Sequence, residues 1–208
     1  MPKKAKSTEQ KPGFAHPTNK LGDANRREKY LDELRDSLAA RLRAGDSAAA
    51  GEFVDMYNER IYLYMRRLGH NRQVSEDLTQ ESFLQAWQHI SQLRNGKALN
   101  SWLYRIASNV SKLHWRKHKG RDSASIEAIG VDVPENDEAG FDKVEHYEQL
   151  GRLKNAVAGL PIKLRQAIVL HYMQQLTIAE AAEAAGVRQG TFKSRLNRAL
   201  ETLRNQII

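Results

Sequence analysis

Between Arg188 and Arg198 the chain gathers Arg188, Gln189, Thr191, Lys193, Ser194, Arg195 and Arg198, set apart from a helical apolar series of Phe192, Leu196, Ala199, Leu200 and Leu203. Arg and Gln side chains can hydrogen-bond base edges in the DNA major groove, while Lys and Ser hold phosphates. A second set lies upstream. From Trp102 a periodic helix turns Leu103, Ile106, Ala107, Val110 and Leu113 inward, leaving Tyr104, Arg105, Ser108, Asn109, Lys112, Trp115 and Arg116 outward. Cations neutralise phosphate and flat rings stack on unpaired bases, so this face suits nucleic acid. The run from Lys112 to Arg121 is the densest positive stretch in the chain.

Other reactive residue types are sparse. His114 and His118 stand one helical turn apart, but no Asp, Glu or further His is placed nearby in sequence to complete a metal site. Cysteine is absent, which excludes disulfides and thiolate sites and is compatible with a reducing compartment. No nucleophile–base pair or phosphate loop supports catalysis. Asp77, Glu81, Gln85 and Gln88 recur at helical spacing opposite Phe83, Ala86, Trp87 and Ile90. Spacing alone favours a solvated face there; a docking surface for a protein partner is the alternative.

These residues need helices to position them, and helical periods dominate the 208-residue chain. Thr177 is a candidate N-cap for a short helix to Ala185. Gly186 can take positive φ where that helix stops, and the basic helix follows. A short helix, a tight turn and a longer basic helix describe a helix-turn-helix. Upstream, Pro161 opens a helix carrying Leu164, Ala167, Ile168 and Leu170, preceded by one with Val144, Tyr147, Leu150, Leu153 and Val157.

Nearer the N-terminus, Leu31, Leu34, Leu38 and Leu42 form one apolar stripe ended at Gly45-Asp46. Ser47 is placed to cap a second helix that buries Phe53, Val54, Tyr57, Ile61, Tyr64 and Leu68. A third helix runs from about Val74 to Ile90. The connection from Gln92 to Ser101 holds a turn-forming Asn95-Gly96 pair. The expected architecture is all-α: two small helical domains, 26–121 and 143–208, joined by a flexible acidic linker, 122–142, and preceded by a disordered basic tail, 1–25. Net charge +8 and a pI near 9.7 favour a polyanionic partner. No apolar run approaches a membrane span, so a cytoplasmic protein is expected.

Two separated stretches carry a family resemblance. Glu76-Asp77-Leu78-Thr79-Gln80-Glu81-Ser82-Phe83-Leu84-Gln85-Ala86-Trp87, followed by Ser101-Trp102-Leu103-Tyr104-Arg105-Ile106-Ala107-Ser108-Asn109, resembles region 2 of extracytoplasmic-function (ECF) sigma factors. Leu160-Pro161 and Gly190-Thr191-Phe192-Lys193-Ser194-Arg195-Leu196 are similar to region 4 of the same family. Both motifs, in this order and across a linker of this size, are far more specific than either alone.

The resemblance implies a transcription initiation factor that is not itself an enzyme and needs no cofactor, metal or small-molecule substrate. Its implied partners are core RNA polymerase (the β′ clamp helices and β subunit), promoter DNA and an anti-sigma factor. It assigns Asp77, Gln80, Glu81 and Gln85 to the clamp helices, reversing the solvated-face reading. It assigns the Leu93–Ser101 connection, with Asn95, Lys97 and Asn100, to capture of a flipped base at the −10 element. Tyr104, Arg105, Asn109, Lys112, Trp115 and Arg116 then lie along the melted region. Arg188, Gln189, Thr191, Lys193, Ser194, Arg195 and Arg198 read the −35 element.

The chain departs from the family pattern in having Ala181 and Ala185 where bulky aliphatic residues are usual. That implies about 1–3 kcal/mol of lost burial per position, with Phe192 as the compensating residue. A rival reading from the helix-turn-helix alone is a repressor or activator with a helical sensor domain. It leaves the basic–aromatic helix after Trp102 without a task.

Overall fold

The computed structural model describes residues 20–118 and 141–207, with side chains for 29–118 and 150–206. The expected tail and linker, 1–25 and 122–142, lie mostly outside the described residues. Among the described residues every regular element is helical. Helices α1 (Lys20–Arg43), α2 (Ser47–Arg67), α3 (Arg72–Gln88) and α4 (Leu99–Lys117) form the first unit. The second contains α5 (Phe141–Gly159), α6 (Ile162–Ile168) continued by a π-helical turn (Val169–Met173), α7 (Ile178–Ala185) and α8 (Gln189–Ile207).

In the first unit α2 is the central rod. Its Phe53, Tyr57, Ile61, Tyr64 and Met65 are buried every third or fourth residue, the period of one helical face. Phe53 meets Tyr57 and Phe83 at ring-centroid distances of 5.3 and 5.5 Å. Val54, expected in this face, is exposed. The cap of α2 is Asp46, not Ser47: its carboxylate accepts the N–H groups of Ala48 and Ala49 at 2.9 and 3.3 Å and also receives Arg41 Nε at 2.8 Å. On α1 the leucine stripe is buried only at Leu38 and Leu42, while Leu31 and Leu34 are exposed. Among the described side chains of α1, the buried ones begin at Leu38.

In the second unit the capping and turn expectations hold in detail. Thr177 and Glu180 form a reciprocal capping box, and Gly186 ends α7 at φ 68°, ψ 41°. The N–H groups of Gly186 and Val187 then close back on the carbonyls of Glu183 and Ala182 at 2.9 and 3.0 Å, which satisfies helix-end acceptors that solvent would otherwise have to meet. Phe192 is fully buried in α8, with Leu196, Ala199 and Leu203 beside it.

The two units pack on one another. Helix α4 lies along α7, and Ala181, Ala182, Ala184 and Ala185 are all buried. The small residues that depart from the family pattern are thus covered by a neighbouring helix, and their short side chains permit close approach. Around this seam the contacts are polar and buried. Gln166 donates to the Tyr64 hydroxyl and to Ser108 Oγ, each at 3.0 Å, and Tyr104 donates to Gln174 Oε1 at 2.5 Å. Arg165 donates to the carbonyls of Leu68 (2.9 Å), Leu160 (3.1 Å) and Ala158, and its burial lowers its pKa. A buried guanidinium held by carbonyls alone costs desolvation, so these hydrogen bonds need good geometry, and they tie the end of α2 to the start of α6.

Candidate nucleic-acid interface

On α3, Ser75, Leu78, Thr79, Ser82 and Ala86 are buried. The Thr79 and Ser82 hydroxyls are spent on carbonyls one turn back, at 2.7 and 2.6 Å. Asp77, Gln80 and Glu81 consequently face solvent and Gln85 is half-buried, its amide donating to Glu81 Oε1 at 2.7 Å. Trp87, expected in the core, is 45% exposed, and Leu84 is 53% exposed. Leu84 and Trp87 are three residues apart and so neighbours on the helix surface, which places an exposed apolar pair alongside the acidic face. Ala86 fills the inward position that spacing had assigned to Trp87 as well.

The connection from Leu93 to Ala98 is compact. Leu93 and Gly96 are buried, Asn95 and Lys97 exposed, and the Asn95 side chain accepts the Ala98 N–H at 3.0 Å. Beside it opens a cleft of about 700 Å³, whose walls include Arg94, Asn95, Trp102, Arg105, Asn109 and Gln85. Trp102, the residue at which the periodic helix was expected to begin, is partly buried and belongs to this wall. Its position in the first turn of α4 was the available signal, since a helix end is covered on fewer sides than its middle.

Along α4 the expected outward face divides. Arg105, Asn109, Lys112 and Arg116 are exposed. Tyr104 and Ser108 are fully buried instead, because Gln166 and Gln174 of the second unit cover them. Asn100 is also buried and accepts the Tyr57 hydroxyl at 2.5 Å. Leu113, expected inward, is exposed. Trp115 is half-buried and stacks on His70 at 4.8 Å.

The fold does bring a third histidine near His114 and His118, with the His70 ring 5.2 Å from that of His114. His70 Nε2 is engaged with Ser111 Oγ at 2.8 Å, and His118 Nδ1 with the His114 carbonyl at 3.0 Å. Among the described residues no three such groups are arranged for a metal ion. Burial first, then the charges of His114 and Arg165, push the His70 pKa down to about 3.

Arg188, just before α8, and Gln189, Thr191, Lys193, Ser194 and Arg198 on it are exposed, and Arg195 is half-buried. Ser194 Oγ donates to the Gly190 carbonyl at 3.0 Å, leaving its lone pairs available as acceptors. The packing of α4 on α7 sets the two basic groups face to face. Asn95 and Lys97 share a cleft of about 560 Å³ with Glu183, Arg188 and Gln189. Lys112 Nζ donates to the Ala185 carbonyl at 3.0 Å. Its pKa is lowered by burial first and then by the like charges of Arg195, Arg105 and Lys163. Cations from both units therefore crowd one seam, an arrangement a polyanion would relieve.

Both units are similar to known proteins. The Sigma-70 region 2 family matches residues 53–121, and the Sigma-70 region 4 family matches residues 150–203. The ECF RNA polymerase sigma factor SigW of Bacillus subtilis is 30% identical over 173 residues, covering 80% of this chain and 92% of that protein. The sigma-E factor of Haemophilus influenzae is 29% identical over 186 residues, covering 85% of this chain and 97% of that one. Among solved structures, CnrH in complex with the cytosolic domain of CnrY superposes with a TM-score of 0.61 at 22% identity, over 82% of this chain and 96% of CnrH. The sigma factor RpoE of Bartonella quintana, in complex with the anti-sigma factor NepR, gives 0.59 at 23% identity, over 76% and 95%. These structures share the fold, and the sequence relatives align with most of this chain. The chain belongs to the extracytoplasmic-function sigma factors of RNA polymerase and acts as an alternative sigma factor in transcription initiation.

Proposed function

We propose that α3 docks on core RNA polymerase, that the 93–98 connection with α4 captures the opened −10 strand, and that α8 reads the −35 duplex. Asp77, Gln80, Glu81 and Gln85 make the polymerase contact, joined by Leu84 and Trp87. Asn95, Lys97, Arg105 and Asn109 hold the single strand, with Lys112 and Arg116 on its phosphates. Tyr104 and Asn100 act only once the second unit has moved off, or as support from within the core. Arg188, Gln189, Thr191, Lys193, Ser194, Arg195 and Arg198 lie in the major groove. The working location is the cytoplasm, with the polymerase.

The observation that carries this reading is the grouping of Asn95, Trp102, Arg105 and Asn109 around one cleft of about 700 Å³ at the foot of α3, which Glu183 of the second unit helps to wall in the packed form. A ring, a cation and amides around one cavity suit an unstacked base and its phosphate. Promoter elements named −35 and −10 lie roughly 25 base pairs apart, about 85 Å of duplex at 3.4 Å per step. Residues flanking a single seam cannot span that distance. The two units therefore separate on the promoter, and the packed arrangement is the form without DNA. An anti-sigma factor that stabilises such a packed form is the expected regulator, as the Bartonella quintana relative was solved with one.

The test is run-off transcription with purified core polymerase on genomic templates. Promoter-dependent product that disappears on Arg105→Ala with Asn109→Ala, while core binding persists, is expected. Absence of any promoter-dependent product overturns the reading.

A further inference from the structure

The first helix carries none of the three sets of contacts proposed above, and it lies outside the residues matched to region 2, which begin at 53. Yet it holds the 93–98 connection from beneath at several points. The Gly96 N–H donates to Asp36 Oδ1 at 2.6 Å. A Cβ at Gly96 would stand 2.2 Å from the Arg35 carbonyl carbon and the Asp36 nitrogen. Those are backbone atoms that cannot swing aside, so glycine is required here by space. Arg43 Nη1 donates to the carbonyls of Arg94 at 3.2 Å and Leu93 at 3.4 Å. Lys97 Nζ lies 3.7 Å from Asp32 Oδ2. The exposed Asn95 and Lys97 side chains are thus displayed from a backbone whose N–H and C=O groups are fixed by a helix some sixty residues earlier.

We propose that α1 is the positioning element of the strand-capturing connection, and that Asp36, acting through the Gly96 amide, is its principal positioning residue, with Arg43 as the second point of attachment. A loop that must receive an unstacked base loses affinity in proportion to the disorder it gives up on binding. Anchoring Gly96 and the Leu93–Arg94 carbonyls removes that disorder beforehand, while the Asn95 and Lys97 side chains stay exposed to solvent. This inference rests on the reading of residues 93–98 as the base-capturing segment.

The experiment uses the full chain assembled with core polymerase and a fluorescent single-stranded oligonucleotide carrying the non-template −10 sequence of a promoter the holoenzyme uses. Affinity for that strand, affinity for core, and hydrogen exchange at the Gly96 amide are measured for Asp36→Ala, Asp36→Asn and Arg43→Ala. Asp36→Ala should speed exchange and weaken strand binding about ten-fold, the worth of one hydrogen bond to a charged acceptor, with core affinity unchanged. Asp36→Asn keeps an acceptor oxygen and should restore most of both. Arg43→Ala, at an exposed site, should reproduce the pattern even if Asp36→Ala fails to fold.

Asn95→Ala with Lys97→Ala is the control on the underlying reading. If that pair weakens strand binding while Asp36→Ala and Arg43→Ala do not, α1 has no positioning role although the segment does capture the strand. If the pair also leaves binding unchanged, the base-capture reading itself is wrong and the positioning role falls with it.

Discussion

His70 shows how a single buried side chain ties stability to pH. Its folded pKa is pushed down to about 3 by burial and by neighbouring His114 and Arg165, against about 6.5 in an unfolded chain. Between those values the unfolded chain binds the proton and the folded one does not. Stability is therefore fully present above about pH 6.5 and is lost as pH falls towards 3, by about 1.4 kcal/mol per pH unit. Urea midpoints near pH 7 and near pH 5 should differ less for His70→Gln than for the parent chain; equal slopes would mean that His70 titrates normally. Trp87 is the second residue whose exposure decides something. It stands 45% exposed one turn from the exposed Leu84, at the edge of the acidic face, and a large ring buried on docking carries more than its share of affinity. Trp87→Ala should lower core-polymerase affinity roughly ten-fold without changing the circular dichroism spectrum. Asp77→Lys with Glu81→Lys should do the same if the face docks as a unit.

At the scale of elements, the turn between α7 and α8 is the best-determined piece of the chain. Gly186 sits at φ 68°, where a β-branched side chain is strained by about 1–2 kcal/mol. Gly186→Val should lower the melting temperature and weaken −35 duplex binding together, because α8 is aimed by that turn. A variant that keeps full stability but loses DNA binding would instead put Gly186 in direct contact with DNA. This element was legible in sequence because its determinants are local: Thr177 and Glu180 are three residues apart, and the glycine follows the last helical turn. Helix α4 was half legible. Its period placed Leu103, Ala107 and Val110 correctly, but Tyr104 and Ser108 were assigned to solvent and proved buried. A helix wrapped on two sides carries apolar and polar residues on both, and one period cannot separate a face that meets its own unit from one that meets another.

For the whole molecule the packed seam is the feature with the most consequences. Gln166, Tyr64 and Ser108 form one buried hydrogen-bonded cluster across it. Gln166→Ala removes the only member contributed by the second unit while leaving Tyr64 and Ser108 paired at 2.8 Å, at a cost of about 1–3 kcal/mol to the packed form. Because the chain has no cysteine, Glu59→Cys and Glu201→Cys would give two exposed labelling sites, one in each unit. Energy transfer between them should fall in Gln166→Ala, and core polymerase should produce a similar fall in the parent. Unchanged transfer in both cases would show that the units act as one rigid body.

The sequence alone determined the helical class, the helix-turn-helix with its cap and turn, the polar face of α3 and the basic face of α8. Each of these is written in spacings of three or four residues, the reach of one helical turn. Only tertiary structure decided what covers those faces. The alanines of α7 read as a shortfall in packing and are the surface on which α4 lies. Tyr104 read as a ring for DNA and is a buried hydroxyl donor to Gln174. Gly96 read as a turn and is a close approach to the backbone of α1. Those partners lie some sixty to seventy residues away in sequence, where no periodicity reaches, and the choice between solvent and a second surface is made by whatever the folded chain brings there.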